Sequence, residues 1–137
     1  MGFLSWFSKL LKKKPSVATS VHTNVGVNIV MRKALLVGIN AYPGAPLSGC
    51  VNDVANMANH LIQVYGFRPE EICILRDSEA TTSNMLAKMN WLVDVPAGSM
   101  VLCHYSGHGA QTPVGAAGEA DGLSECICPV DFDWTPQ

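Results

Sequence analysis

The stretch LCHYSGHGAQTP, residues 102–113, brings Cys103, His104, Ser106 and His108 into six consecutive positions between an apolar run and a glycine-rich segment. Nucleophilic catalysis by cysteine or serine needs a histidine at a strand end, close to the nucleophile and to backbone N–H groups that can hold an oxyanion. His108 lies between Gly107 and Gly109, and glycine lets the backbone turn sharply and a substrate approach closely. On the residues alone, a catalytic His108 and a polar loop histidine both stay open. His104, two residues before Ser106, reads as a packed or structurally bonded side chain, and His22 and His60 as solvent-facing.

Two other chemistries fit less well. A nucleotide site would put closely spaced glycines, or Lys followed by Ser or Thr, in the loop after the first strand; that loop reads NAYPGAPLSGCVND and has neither. Zinc has candidate ligands in Cys103, His104, His108, Cys126 and Cys128. Adjacent Cys103 and His104 must point to opposite faces of a strand, however, and a CxC pair is tighter than structural zinc sites use. Cys73 and Cys103 are therefore expected as small hydrophobes in buried strands.

These residues must be held by a compact α/β frame. KALLVGI (33–39) is a short, continuous apolar run followed by Asn, Pro and Gly, as a buried parallel strand should be. Residues 52–65 place Val54, Ala58, Leu61, Ile62 and Tyr65 at helical spacing, with Gly66 at the C-cap position. EICILRD (71–77) is the second predicted strand. Thr81 or Thr82 can cap a second helix whose inner stripe is Met85, Leu86, Met89, Leu92 and Val93, and SMVLCHY (99–105) is the third strand. Strand, helix, strand, helix, strand predicts a doubly wound, mostly parallel sheet with helices on both faces. Functional groups should collect at the carboxyl ends of its strands, in the loops 40–53 and 106–112.

The chain has 137 residues, 48% of them apolar, and a net charge of −2. That suffices for one core: an N-terminal segment and linker over 1–31 and one α/β domain over 32–137. Lys9, Lys12, Lys13 and Lys14 all lie in the tail, which leaves five basic residues against eleven acidic ones in the remainder. That balance excludes sequence-independent binding to a nucleic-acid backbone, which needs a basic face. Five cysteines form no disulfide framework and no secretory signal precedes them, so a cytoplasmic setting is expected. Phe3, Leu4, Trp6, Phe7, Leu10 and Leu11 fall within an arc of about 160° on a helical wheel, opposite Ser5, Ser8, Lys9 and Lys12. Residues 1–14 are thus suited to a membrane surface or to docking on a partner.

KALLVGINAYPGAPLSGCVNDV (33–54), YGFRPEEICILRD (65–77), NMLAKMNWLV (84–93), HYSGHGAQT (104–112) and ADGLSECICPVDF (120–132) together resemble the large-subunit region of metacaspases. The resemblance covers about 100 residues of this sequence in order. It implies a caspase-like three-layer α/β/α fold, incomplete at the C-terminus, and a cysteine endopeptidase that cleaves after Arg or Lys. His108 matches the family's catalytic histidine, and Asp53 the acid of the pocket that receives the cationic P1 side chain; Cys50 and Ser106 match residues lining that pocket. A carboxylate in a partly desolvated pocket selects a cation because an uncharged side chain there would leave the cation unpaired.

The sequence also departs from the family pattern. The nucleophile belongs to a DxCHSG-like motif roughly 50 residues beyond the histidine by the spacing of caspase signatures, whereas this sequence runs 29 residues past His108 and none of its cysteines sits in such a motif. The isolated chain is therefore expected to be inactive and to require a small-subunit-like region. Cys50, ahead of a predicted helix, is the alternative nucleophile. The segment 109–125 carries only Glu119, Asp121 and Glu125 where metacaspases have a dense acidic run, which disfavours calcium dependence and leaves Asp121, Asp131 and Asp133 as candidate ligands of a weak calcium site. The second functional reading is a non-catalytic caspase-fold module that binds a partner or a membrane.

Overall fold

The computed structural model describes residues 31–113 and 122–135, in which two compact units are distinguished: residues 31–108 with 128–135, and residues 109–113 with 122–127. The N-terminal amphipathic segment 1–14 and Asp121 lie outside the described residues.

The larger unit is built on β1 (Arg32–Gly38), which lies between β2 (Ile72–Arg76) and β3 (Met100–Ser106) in an all-parallel sheet of order β2-β1-β3. A central parallel strand is covered on both faces, and Ala34, Leu35, Leu36 and Val37 are all buried. Side chains alternate between the faces. Ala34 and Leu36 pack with Val54, Ala58 and Leu61 of α1 (Cys50–Gln63) and with Phe67, joined by Met57, Ile72, Ile74 and Leu102. The other face meets α2 (Thr82–Val93), whose Met85, Met89 and Leu92 are buried. Lys33, on that face, donates from Nζ to the carbonyls of Trp91 and Asp94 at 2.8 Å each and sits 4.9 Å from the Trp91 ring centroid. A buried ammonium is tolerable here because it satisfies the last carbonyls of α2.

Element boundaries moved for identifiable reasons. Helix α1 starts at Cys50, two residues ahead of the sequence expectation, because the Asn40 side-chain oxygen accepts the Cys50 N–H at 3.0 Å. It ends at Gln63, where Arg32 donates to the carbonyls of Tyr65 and Gly66 at 2.9 and 2.8 Å and Gly66 takes φ +66°. Tyr65 and Ile62, expected on the inner stripe, are exposed, as is Val93 at the end of α2. Thr81 caps α2, its Oγ1 accepting the Asn84 N–H at 3.3 Å.

Two expectations need correction. Cys73 is only half-buried and Cys103 is exposed, because β2 and β3 are the edge strands of the described sheet. Within the loop expected over 106–112, residues 109–112 instead open the smaller unit, an antiparallel hairpin of β4 (Gly109–Pro113) and β5 (Leu123–Ile127) with Gly109 opposite Ile127 and Gln111 opposite Glu125. GAQTP has little strand propensity of its own; its pairing with a distant strand supplies what local sequence lacks.

Candidate active site

The parallel register places Gly38 beside Ser106, so the carboxyl ends of β1 and β3 lie next to each other. This is where an open α/β sheet presents ligand groups. Gly38 is required by contact: a Cβ there would lie 2.6 Å from the Cys50 carbonyl oxygen and 2.7 Å from Val54 Cγ2. The start of α1 is thereby drawn tightly against the end of β1.

The loop after β1 is anchored by Asp77, the residue following β2. Its Oδ1 accepts the backbone N–H groups of Asn40 at 2.7 Å and Ala41 at 2.9 Å, and its own backbone takes φ +44°. That conformation is uncommon for a residue other than glycine and best tolerated by Asn and Asp. Asn40 continues the network through its side chain to Cys50 N and through its carbonyl to the N–H groups of Tyr42 and Leu47.

His108 projects toward this loop. Its Nε2 lies 2.8 Å from the Ala45 carbonyl oxygen. A carbonyl can only accept, so the contact calls for a proton on Nε2 and leaves Nδ1 for proton transfer. The imidazole is flanked by Tyr42, with centroids 4.7 Å apart, and by Trp134 at 5.6 Å in an edge-to-face arrangement; Trp134 leans in turn on Phe132 at 4.8 Å. Tyr42 is buried to 3% exposure, whereas Trp134 remains 45% exposed and forms an aromatic wall open to solvent.

The His108 peptide is held as closely as its ring. Its N–H donates to Tyr42 Oη at 3.2 Å, and its carbonyl accepts from Tyr105 Oη at 2.7 Å and from the Cys128 N–H at 3.0 Å. Burial pushes both phenols above their ordinary range, most strongly Tyr105, where the neighbouring Tyr42 hydroxyl adds to the effect. Gly107 fits against the two phenols: a Cβ there would lie 2.5 Å from each hydroxyl oxygen. Its role is thus close approach of the phenols rather than of a substrate.

Asp53 sits in the first turn of α1 with its carboxylate exposed, and Ser106 Oγ donates to its Oδ2 at 2.8 Å. The partly desolvated surround expected for this carboxylate is not formed among the described residues. Cys50, at the start of the same helix, is 8% exposed. His104 is packed as expected, but its buried Nε2 has no hydrogen-bond partner among the described residues, so the bonded alternative does not hold at that atom. His60 is exposed against Tyr65, and His22 lies outside the described residues.

Of the calcium candidates, Asp131 and Asp133 lie among the described residues and both accept hydrogen bonds from neighbouring threonines. Asp131 Oδ1 accepts both N–H and Oγ1–H of Thr82, at 2.8 and 2.9 Å, which caps the start of α2. Asp133 folds onto the N–H and hydroxyl of Thr135, and these bonds hold its carboxyl below the usual range. No group of three metal-ligating side chains is assembled among the described residues.

Sequence reasoning missed Tyr42, Ala45, Asp77, Tyr105 and Trp134. Tyr42 carried a usable signal, since it lies in the loop after the first strand, the place already singled out. The part played by Ala45 is a backbone carbonyl, which no residue type announces.

Comparison with known proteins identifies the family. Residues 32–137 match the profile described as the metacaspase, peptidase C14 domain. Metacaspase-1 of Emericella nidulans is 46% identical over 109 residues, covering 74% of this chain and 27% of the relative. Metacaspase-1A of Aspergillus niger is 45% identical with the same coverage, and metacaspase-1 of Kluyveromyces lactis is 46% identical, with 25% of its length covered. The chain thus spans about a quarter of the length of the curated relatives it matches. Among solved structures, protein GSU0716 from Geobacter sulfurreducens superposes with a TM-score of 0.61 at 27% identity, covering 74% of this chain and 40% of that one. No helix among the described residues is long and apolar enough to cross a membrane. By profile and by identity, the chain belongs to the metacaspase family.

Proposed function

We propose that the chain supplies the histidine and the specificity acid of a cysteine endopeptidase that cleaves peptides after Arg or Lys. The observation that carries this reading is the 2.8 Å contact of His108 Nε2 with the Ala45 carbonyl, which orients the ring and leaves Nδ1 as its acid–base atom.

The chemistry follows from that orientation. Nδ1 takes the proton of a cysteine thiol, the thiolate attacks the scissile carbonyl carbon, and the same nitrogen returns the proton to the departing amine; water then releases the acyl group from sulfur. The thiol belongs to the DxCHSG-like motif that the family resemblance calls for. Cys50 fits that task poorly, because its burial suits a pocket-lining side chain better than a nucleophile that must meet a peptide. Asp53 keeps one oxygen, Oδ1, outside its bond with Ser106, and that oxygen is available to a guanidinium or an ammonium group. Closure of the site by a small-subunit-like region would supply the desolvation that makes such a pair selective.

The test is hydrolysis of fluorogenic peptides by the full-length protein and by its His108→Ala variant. Cleavage after Arg or Lys, reduced at least a hundredfold by His108→Ala, supports the reading. Cleavage unaffected by that substitution would overturn it.

A further inference from the structure

We propose that Tyr42 is a positioning residue for His108: together with Tyr105 it clamps the His108 peptide, and so keeps the imidazole in the Nε2–H tautomer. The inference rests on the reading of His108 as the acid–base group.

Three observations converge on Tyr42. Its ring packs on the imidazole, with centroids 4.7 Å apart, while its hydroxyl receives the His108 backbone N–H at 3.2 Å. Its own turn presents the oxygen that holds the ring, since the Ala45 N–H bonds back to the Tyr42 carbonyl at 3.4 Å and the Ala45 carbonyl meets Nε2 at 2.8 Å. One side chain and one tight turn therefore set the peptide, the ring plane and the tautomer together.

A buried phenol needs partners, because a phenylalanine would fill the same space without the desolvation cost of the hydroxyl. The two phenols carry one proton each. Tyr42 Oη lies 2.7 Å from the Cys128 carbonyl, and Tyr105 Oη lies 2.7 Å from the His108 carbonyl and 2.8 Å from that of Cys128. Donation by Tyr42 to Cys128 and by Tyr105 to His108 satisfies both carbonyls, and Tyr42 Oη stays free to accept from His108 N–H. The hydroxyls are 2.8 Å apart, and Gly107 leaves the room for both. A purely structural tyrosine would need one such bond; here, apart from the contact between the two hydroxyls, the bonds end on the His108 peptide or on the Cys128 carbonyl.

Asp77 extends the device. Its carboxylate pins the N–H groups of Asn40 and Ala41, immediately ahead of Tyr42. The turn thus enters at a fixed angle.

The experiment pairs two readouts. Long-range proton–nitrogen correlation on the uniformly ¹⁵N-labelled chain reports the His108 tautomer, with His108→Ala assigning the signal. kcat and KM of the full-length protein on an Arg peptide report function. Tyr42→Phe keeps the ring and removes the hydroxyl, and is expected to raise the minor tautomer several-fold and to lower kcat about tenfold while KM stays within about twofold. An unchanged tautomer ratio with unchanged kcat would overturn the proposal, even if the melting temperature fell. If Tyr42→Phe does not fold, Tyr105→Phe removes the bond to the His108 carbonyl and must shift the tautomer in the same direction; no shift would overturn the clamp. A full-length protein that cleaves nothing while the tautomer still responds to Tyr42→Phe would sink the peptidase reading and leave the positioning role standing.

Discussion

Ser106 Oγ donates to Asp53 Oδ2 at 2.8 Å, which ties the end of β3 to the first turn of α1. The bond spans 53 positions in sequence and exists because β1 and β3 run in register up to Gly38 and Ser106. It orients a carboxylate that is otherwise exposed. Ser106→Ala is therefore expected to change unfolding free energy by no more than about 0.5 kcal/mol and to raise KM for Arg peptides several-fold. Asp53→Asn should cost about a hundredfold or more in kcat/KM for Arg, with little loss on a neutral P1 residue. Steady-state kinetics on paired peptides, alongside urea unfolding, separates the two effects.

The glycines flanking His108 are not equivalent. At Gly107 a Cβ would meet two phenol oxygens at 2.5 Å, whereas at Gly109 it would meet only the Cys126 carbonyl oxygen at 3.5 Å, an ordinary contact. Gly107→Ala is expected to destabilise the fold by about 1–3 kcal/mol through overpacking, and Gly109→Ala by less than about 1 kcal/mol. Urea denaturation of the two variants gives the comparison directly, and equal losses would contradict the crowding at Gly107.

The thiols should differ in reactivity. Cys128 is fully buried and should label only on unfolding. Cys103 is exposed as a residue, yet its sulfur lies 3.9 Å from Met89 Sδ, and burial pushes its thiol above the ordinary value of 9.0. Burial does the same to Cys73. Both should react slowly with a disulfide reagent at pH 8, with rates still climbing above pH 9. Mass-resolved labelling across pH checks this; fast labelling of Cys103 at pH 7 would contradict it.

The phenol pair predicts an alkaline limit to stability. Folded pKa values above the ordinary 10.0 mean that the native state holds protons the unfolded chain releases. The stabilisation is full below pH 10 and is lost as pH rises from there toward the folded values. Thermal melting between pH 8 and 11.5 should show a falling midpoint above pH 10, flatter in Tyr105→Phe than in the wild type. Parallel curves for the two proteins would contradict the assignment.

The frame was legible because its signals are local. KALLVGI is too short and too apolar for anything but a covered strand, and Val54, Ala58 and Leu61 repeat at helical spacing, so β1 and α1 were found within two residues. His108 and Asp53 were singled out as candidates through motifs. The hairpin β4–β5 was not, because GAQTP acquires strand geometry from pairing with residues 123–127 rather than from its own composition. The bond of Asp131 to the start of α2 was not legible, because it is a contact across 49 positions. The bonds that orient His108 come from a carbonyl and two phenols, groups whose function is purely positional.

The most direct measurement is the ratio of kcat/KM for otherwise identical peptides ending in Arg and in Asp, cleaved by the full-length protein with calcium or with chelator, for the wild type and for His108→Ala. Cleavage after Arg at least a hundredfold faster than after Asp, lost in His108→Ala, is the expected result. No preference for Arg, or activity that survives His108→Ala, would contradict the assignment of His108 and Asp53.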